Sequence, residues 1–576
     1  MLKLFRHLKP FTIPVIAILA LVFLQTQADL YLPTLMSDII NNGVMKGNTT
    51  LIWRLGALML IVAAAGGIFA TISSYLSSRV AMGFGRDIRT KVFRQVTGYS
   101  LHEFDKLGTS TLITRTTNDI TQFQMVLIMI LRMMVMAPMM MIGGIIMAGQ
   151  EDAGLTWVLV VAIPVLIAII VILAMKGLPL FKVMQTKIDR MNLVVREKLT
   201  GIRVIRAFNR DAHERKRFED ANMDLTDNYI KVNRIMAFMM PAIMLVMNLT
   251  TLAILWFGII RIDNGAMQVG SLMAFIQYTM QILFSMIMLS MMFIMVPRAS
   301  AAAVRINEVL GLIPEINDPE RPDASCPTGR GYVEFRDVKF SYHGAEQPAL
   351  NGISFNAKPG EVTAIVGSTG SGKTSLVNLI PRFYDVDSGT VLVDGVDVRE
   401  MTQECLRAKI GFVPQKALLF TGTIAENIRF GRPDASDEEV RHAAETAQAT
   451  EFIDTMEGGY AHEISQGGSN VSGGQKQRLS IARALIRKPE IYVFDDSFSA
   501  LDFKTDANLR AALKIETTEA TVLIVAQRVG TVMDADRIIV LDEGRIAGMG
   551  THRELLESCG VYREIVSSQL SEEEIA

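Results

Sequence analysis

The residue pattern with the clearest chemical meaning follows a short apolar run, Val362–Val366. It is a glycine-rich loop with the spacing G-x-x-x-x-G-K-[ST], and it leads into the helical pattern Ser375–Ile380. Glycines allow backbone N–H groups to turn towards phosphate oxygens, and the following helix N-terminus adds positive potential. We therefore expect Lys373 to bind terminal phosphates and Thr374 to bind Mg²⁺. The residues predicted to hold the phosphates are Gly367, Ser368, Thr369, Gly370, Ser371, Gly372, Lys373, Thr374 and Ser375.

A second segment supplies the carboxylate that such a loop needs. The run Ile491–Asp495 has four apolar residues followed by Asp495, as expected for a buried strand that ends in an acidic residue. In phosphate-loop proteins a carboxylate at this position helps to hold the metal ion. We predict that Asp495 joins Thr374 in binding Mg²⁺.

Between these segments lies a Ser-Gly-Gly-Gln turn that leads into the helical pattern Lys476–Ile486. This turn resembles the signature sequence of the ABC (ATP-binding cassette) family, in which the signature of one nucleotide-binding domain closes over ATP held by another. A helix start with exposed N–H groups is physically suited to contact a phosphate. The resemblance therefore implies a signature donated to a partner's site, formed by Val471, Ser472, Gly473, Gly474 and Gln475.

Other family positions match in chain order. Tyr342 resembles the aromatic residue that stacks on adenine, and Gln415 resembles the glutamine that senses Mg²⁺ and contacts the membrane domain. The resemblance thus implies ATP and Mg²⁺ as cofactors, with Gln415 as a further metal ligand beside Thr374 and Asp495. It also implies a D-loop formed by Ser499, Ala500, Leu501 and Asp502.

Two positions depart from the family pattern, and both changes remove catalytic capacity. Asp496 stands where the family has a glutamate that polarises the attacking water, and one missing methylene withdraws the carboxylate by roughly 1.5 Å. Gln527 stands where the family has a histidine, and an amide carries neither a proton nor a positive charge. Because a misplacement near 1 Å can cost about a hundredfold in rate, these residues predict a catalytic site that binds ATP and hydrolyses it poorly.

A degenerate site beside an intact signature favours pairing with a second, non-identical subunit. The pattern resembles heterodimeric bacterial multidrug exporters, in which the partner's site hydrolyses ATP. A homodimer with two slow sites, a regulatory subunit that binds ATP without turnover, and an importer with the exporter fold remain alternatives. The predicted function is ATP-driven export of amphipathic small molecules, drugs or lipids, across the cytoplasmic membrane.

The sequence predicts six membrane spans ahead of the segment that carries the nucleotide-binding residues. Half of the 576 residues are hydrophobic, and nearly all long apolar runs lie before residue 300. The fold class predicted is an α-helical six-span transmembrane domain followed by an α/β phosphate-loop nucleotide-binding domain. The predicted spans are Phe11–Leu32, Leu55–Ile72, Met125–Met147, Leu155–Ala174, Ile235–Ile260 and Val269–Val296.

Polar excursions alternate with short loops between the spans. We predict a transmembrane domain at 1–310 with helical excursions at about 79–123 and 176–234, a linker at 311–330 and a nucleotide-binding domain at 331–576. The excursion tips are expected near 107–117 and 203–215. Because basic residues concentrate in the excursions, the positive-inside rule puts the N-terminus, the excursions and the C-terminal domain in the cytosol.

The remaining composition limits the partners. A net charge of −2 favours no nucleic-acid partner, and the three widely spaced cysteines predict neither a metal site nor a disulfide framework. Many of the 35 methionines fall in the spans, where flexible thioethers suit a cavity for varied apolar molecules or simply fill gaps between helices. Polar residues at membrane depth are the better candidates for a substrate cavity, namely Asp29, Arg132, Asn248, Gln277 and Gln281.

Overall fold

A computed structural model describes residues 2–319 and 329–569 of the chain. The contacts divide it into two compact units, one formed by Met1–Thr97 and Ser110–Leu312, the other by Gly98–Thr109 and Ile313–Ala576. Most of the linker predicted at 311–330 lies outside the described residues. A short segment from the first predicted excursion thus belongs, by its contacts, with the C-terminal unit.

The N-terminal unit is built from long helices. Among the described residues, six helical segments are long and apolar enough to cross a membrane. Several exceed the roughly 20 residues that a bilayer needs, because polar helical extensions continue the apolar spans. The helices of this part of the chain, with the short α4 that belongs to the other unit, are α1 Leu2–Phe5, α2 Thr12–Asp38, α3 Thr49–Thr97, α4 Leu101–Leu107, α5 Thr109–Thr116, α6 Asn118–Glu151, α7 Thr156–Thr200, α8 Ile202–Ala207, α9 Asp211–Asp263 and α10 Val269–Gly311.

The first excursion contains one more break than predicted. The break between α3, which ends at Thr97, and α4, which begins at Leu101, precedes the expected tip at 107–117, whereas the breaks between α4 and α5 and between α5 and α6 fall within it. Ser100 and Glu103 form a capping box at the start of α4, and this local hydrogen bonding starts a new helix. In the second excursion the chain breaks between Thr200 and Asp211, which overlaps the expected tip at 203–215.

Charged residues join the helices of the N-terminal unit outside the apolar runs. Arg305 of α10 donates to both carboxylate oxygens of Asp119 on α6, at 2.7 and 2.5 Å, and Asp119 is only 3% exposed. Arg261 near the end of α9 donates to Asp152, which follows α6, at 2.9 Å. These charge-assisted hydrogen bonds favour one alignment of each helix along its neighbour, which apolar packing specifies less strictly.

Within the part of the chain that the structure describes, the C-terminal unit holds three sheets. The largest has the order β12-β11-β3-β10-β9-β6, with β12 antiparallel to β11 and the other pairs parallel. A four-stranded antiparallel sheet has the order β2-β1-β4-β5, and β7 pairs with β8. The strands are β1 Val333–Phe340, β2 Leu350–Ala357, β3 Val362–Gly367, β4 Ser388–Val393, β5 Val396–Asp397, β6 Ile410–Val413, β7 Gly422–Thr423, β8 Glu463–Ile464, β9 Ile491–Asp495, β10 Thr521–Val525, β11 Arg537–Asp542 and β12 Arg545–Gly550.

Helices cover the faces of the largest sheet. The helices of this unit are α11 Lys373–Leu379, α12 Gln403–Ala408, α13 Ile424–Arg429, α14 Asp437–Thr446, α15 Thr450–Thr455, α16 Gly473–Leu485, α17 Phe503–Glu516, α18 His552–Ser558 and α19 Gly560–Ser567. The central strands β9 and β10 are buried along their whole length, which explains why their sequences are continuous apolar runs. Six spans followed by an α/β domain of this kind confirm the predicted fold class.

The strand order explains how distant segments meet. Strands β3, β10 and β9 are neighbours and run parallel, so their carboxyl ends lie at one edge of the sheet. Gly367, Gln527 and Asp495 lie at or just after those three ends.

The prediction of no disulfide framework, made from the wide spacing of the cysteines, is wrong: Cys405 is disulfide-bonded, whereas Cys559 is a buried free thiol. Separation along the chain does not set separation in space.

Candidate nucleotide-binding site

The glycine-rich loop has a backbone that only glycine tolerates at two positions. A Cβ at Gly367 would lie 2.2 Å from the carbonyl oxygen of Leu541, and one at Gly372 would lie 2.7 Å from that of Ala349. Gly372 also has a φ of +98°, which side chains disfavour. The loop thus packs its backbone against its neighbours and begins α11 at Lys373, with the shape required to surround phosphates.

Lys373 lies inside this loop. Its side chain is 8% exposed, and Nζ donates to the carbonyl oxygens of Gly367 at 2.9 Å and Ser368 at 2.7 Å. Burial lowers the pKa of the Lys373 ammonium, and the nearby carboxylates of Asp496 and Asp495 oppose that shift. A buried cation held by carbonyl oxygens fits a polyphosphate, because phosphate oxygens replace the carbonyl acceptors with stronger ones.

The predicted metal ligands Thr374 and Asp495 are adjacent. The Thr374 hydroxyl donates to Oδ1 of Asp495 at 3.1 Å, and Asp495 is 3% exposed. Burial raises the pKa of the Asp495 carboxyl, and the neighbouring Asp496 adds to this, while the Thr374 hydrogen bond opposes it. A hydroxyl and a carboxylate side by side are hard oxygen ligands that suit Mg²⁺. When bound, Mg²⁺ would neutralise phosphate charge there.

Asp496 is the point where the unusual residues meet. Its Oδ2 accepts hydrogen bonds from the side-chain amides of Gln415 at 3.0 Å and Gln527 at 2.8 Å. Its own N–H donates to the carbonyl of Val525 at 3.0 Å, and its φ is +48°. Gln415 therefore bonds to Asp496 in this structure, not to the pair predicted to bind Mg²⁺.

The chemistry of this arrangement follows from the donors. Amide N–H groups stabilise the negative charge of Asp496 but cannot accept a proton from it. A carboxylate held by two such donors is fixed in place, and its reach is one methylene shorter than that of the family's glutamate. The cluster is suited to hold a fixed negative charge beside Thr374 and Asp495.

The predicted adenine-stacking residue belongs to an aromatic cluster. The Tyr342 ring lies edge-on to Phe340, with centroids 4.9 Å apart, and to Tyr384 at 5.5 Å. Its hydroxyl lies 2.9 Å from that of Ser375, which follows the phosphate loop. Sequence reasoning missed Tyr384, whose pKa burial raises to about 12. Tyr384 comes soon after α11, and an aromatic residue so close to the phosphate loop is the sequence feature that could have indicated it.

The predicted signature begins α16. Ser472 caps the helix: its hydroxyl accepts from the N–H of Gln475, and Oε1 of Gln475 accepts from the N–H of Ser472 at 2.8 Å. Ser472 and Gly473 are exposed, whereas Val471 is half-buried. A Cβ at Gly474 would lie 3.1 Å from the carbonyl oxygen of Ala500, so the signature packs directly against the predicted D-loop. The exposed helix start is available to a ligand held by another chain.

The D-loop residues have their own structural roles. The Ser499 hydroxyl donates to the carbonyl of Asp496 at 3.0 Å, and Asp502 caps α17 by accepting from the N–H of Thr505. Leu501 is buried in the core beneath. The loop therefore connects the Asp496 cluster with the signature helix. The roles assigned to all of these residues remain predictions.

The predicted cavity residues do not form one cluster. Gln281 donates to the carbonyl oxygen of Asp29 at 3.2 Å, which brings α10 and α2 together. Arg132 instead donates to the hydroxyl of Ser74 at 3.1 Å. Asn248 and Gln277 are exposed in this chain.

Comparison with known proteins agrees with this geometry. The ABC transporter transmembrane region matches residues 15–286, and the ABC transporter domain matches residues 350–499. An uncharacterized ABC transporter ATP-binding protein of Mycobacterium tuberculosis is 45% identical over 98% of this chain and 97% of its own length. An ATP-dependent lipid A-core flippase of Chromobacterium violaceum is 30% identical over 93% of this chain and 92% of its own.

A solved structure has the same architecture. It is that of a bacterial Atm1-family ABC exporter with ATP bound, which matches with a TM-score of 0.80 and 26% identity. The match covers 97% of this chain and 98% of the solved one, so it includes both units. The chain therefore belongs to the ABC transporter family and is an exporter-type subunit, a multi-pass membrane protein whose transmembrane region is fused to an ATP-binding domain.

Proposed function

We propose that this chain is one half of a heterodimeric exporter, in which its own site holds ATP and Mg²⁺ but hydrolyses ATP poorly. The observation that carries the proposal is the hydrogen bonding of Asp496. Its short carboxylate is held by Gln415 and Gln527, at the position of the family's catalytic glutamate. ATP would bind through Lys373, Thr374 and Asp495 without an effective base for water.

A non-identical partner follows from the contrast between two parts of the chain. The signature at Ser472–Gln475 keeps its cap, its exposed helix start and its packing on the D-loop. The Asp496 cluster lacks both groups that the family uses for hydrolysis. A site formed by this signature and a partner's glutamate and histidine would hydrolyse ATP, and the transporter would need only that one active site.

The substrate we propose is an amphipathic small molecule, a drug or a lipid, exported across the cytoplasmic membrane. The support is the methionine-rich apolar spans, the polar contact between Asp29 and Gln281 at 3.2 Å, and the relative named as a lipid A-core flippase. Flexible thioethers accept varied apolar shapes, and few fixed polar groups orient them. The nucleotide-binding domain would lie in the cytosol, as the basic excursions require.

The test compares two purified samples in lipid nanodiscs. One contains this chain alone, and the other contains it with the product of a neighbouring gene that encodes a second ABC half-transporter. We expect both to bind an ATP analogue, and only the mixed sample to hydrolyse ATP at a rate that lipids or drugs stimulate. Rapid, stimulated hydrolysis by the chain alone would contradict the heterodimer.

The control separates ATP binding from folding. Lys373→Ala removes the phosphate-binding cation and is expected to abolish binding of the analogue while the elution volume stays unchanged. Lys358→Ala changes a lysine that lies after β2 and before the phosphate loop, and should leave binding intact.

A further inference from the structure

Two histidines and a glutamate from three separate segments meet in the C-terminal unit, outside the nucleotide-binding site. They are His102 of α4, Glu315 of the segment after α10, and His343 of the turn after β1. Their nearest ligand atoms all lie within 4.8 Å of one another. Within residues 2–319 and 329–569, this is the one group of three or more histidine, cysteine and acidic side chains so close together.

The distances fit a tetrahedral metal ion. Nε2 of His102 lies 3.6 Å from Oε1 of Glu315, and the rings of His102 and His343 have centroids 4.7 Å apart. With metal–ligand bonds of about 2.1 Å, two tetrahedral ligand atoms lie roughly 3.4 Å apart. The His102–Glu315 distance is already near that spacing. A side-chain rotation of the exposed His343 would bring its ring nitrogen to the same distance from the other two ligand atoms.

Backbone hydrogen bonds hold two of these three segments together. Oε1 of Glu103 accepts from the N–H of Glu315 at 3.1 Å, and its Oε2 accepts from the N–H of Ser100 at 2.7 Å. These two hydrogen bonds hold the backbone of Glu315 close to the start of α4, the helix that carries His102.

The third segment is a tight turn. The N–H of Ala345 donates to the carbonyl of Tyr342 at 2.9 Å, and His343 lies between them. The same turn carries the predicted adenine-stacking residue. A ligand that joins His343 to His102 therefore joins α4 to the turn beside the ATP site.

The geometry points to a binding site for a zinc-class transition metal ion at His102, Glu315 and His343, which ties α4 to the Tyr342–Ala345 turn. Two imidazoles and one carboxylate are a set that Zn²⁺ accepts, with water as the fourth ligand. Mg²⁺ prefers oxygen ligands alone, so the site would discriminate against the metal of the ATP site.

The test is a zinc titration of the full-length protein, with any affinity tag removed and bound metals stripped by a chelator. Competition against a fluorescent zinc chelator gives affinity and stoichiometry in the absence of ATP. We expect one Zn²⁺ per chain. His102→Gln or His343→Gln should weaken binding by at least about tenfold, because even the loss of a group behind the ligands costs that much. An excess of Mg²⁺ should not compete.

The chain offers a matched control. His442 and Glu516 form another histidine–carboxylate pair, 3.1 Å apart, on α14 and α17. His442→Gln should leave zinc binding unchanged. If the His102 and His343 variants bind zinc as the wild type does, or if the wild type does not compete with the chelator, the proposal is wrong. Glu315→Gln repeats the test at an exposed position whose replacement leaves the fold intact.

Hydrogen exchange tests whether the bound metal ion links α4 to the Tyr342–Ala345 turn. Zn²⁺ should slow amide exchange both in Leu101–Leu107 and in the Tyr342–Ala345 turn of the wild type, and should not do so in His343→Gln. Zinc binding without slower exchange in both segments would contradict the proposed link between α4 and the turn. Neither measurement depends on ATP hydrolysis, so failure here leaves the proposed function untouched, and the reverse also holds.

Discussion

At the scale of single residues, the proposed slow ATP hydrolysis depends on the methylene missing at Asp496 and the imidazole missing at Gln527. Asp496 reaches Gln415 and Gln527 with a single carboxylate oxygen. A glutamate at this position would extend one methylene further, and a histidine at 527 would supply a charge that an amide lacks. The sequence identified both residues as departures, but their mutual hydrogen bond depended on strand order, which spacing along the chain does not give.

Restoring both family residues should speed hydrolysis. The double variant Asp496→Glu with Gln527→His is expected to raise the ATPase rate of the chain expressed alone by about 10- to 100-fold. It restores a carboxylate withdrawn by roughly 1.5 Å, and a misplacement near 1 Å can already cost about a hundredfold in rate. The measurement is phosphate release in nanodiscs. Each single variant serves as a comparison and should give a smaller rise. A double variant no faster than the wild type would show that other features make the site slow.

Removing the signature's cap should affect turnover beyond its effect on stability. Ser472→Ala loses a helix cap worth about 1 kcal/mol. Ser436→Ala loses an equivalent capping box at the start of α14 and is the matched control. We expect both variants to lower the thermal midpoint similarly, while only Ser472→Ala slows ATP hydrolysis by the mixed complex. Equal turnover in the two variants would argue against a role for this signature.

At the scale of elements, the fold could be predicted where one strong local signal decides it. The six spans and the strands β3 and β9 are long apolar runs, and the sequence located all of them. The turn before α4 was missed, since the capping box of Ser100 and Glu103 competes with a helical pattern that continues past it. The Tyr342–Tyr384 contact was also missed, because it joins the turn after β1 to the segment after α11.

The ion pair between α6 and α10 gives a prediction for helix packing. Arg305→Met leaves the buried Asp119 without its partner, at a cost of about 2 kcal/mol. The thermal midpoint in detergent should fall clearly, and adding Asp119→Asn should recover part of the loss. Arg86→Met, which breaks an exposed pair with Asp87, is the control and should not shift the midpoint. Equal midpoints for the Arg305 and Arg86 variants would show that the α6–α10 pair adds no stability.

At the scale of the whole molecule, the family, the six spans and the ATP-binding domain are established, and the division of labour between two subunits is the proposal. A chain that holds ATP without hydrolysing it needs a partner with a working site. The predicted heterodimer follows from what this chain lacks and from the signature it retains.

The most direct test is ATP hydrolysis by the mixed complex after Asp496→Asn in this chain. We predict that the variant retains at least about half of the wild-type rate, because the carboxylate has little catalytic role. Replacing the glutamate at the corresponding position of the partner should abolish hydrolysis in parallel. If Asp496→Asn alone abolishes ATP hydrolysis by the complex, this chain's own site is the catalytic one and the proposed division of labour is wrong.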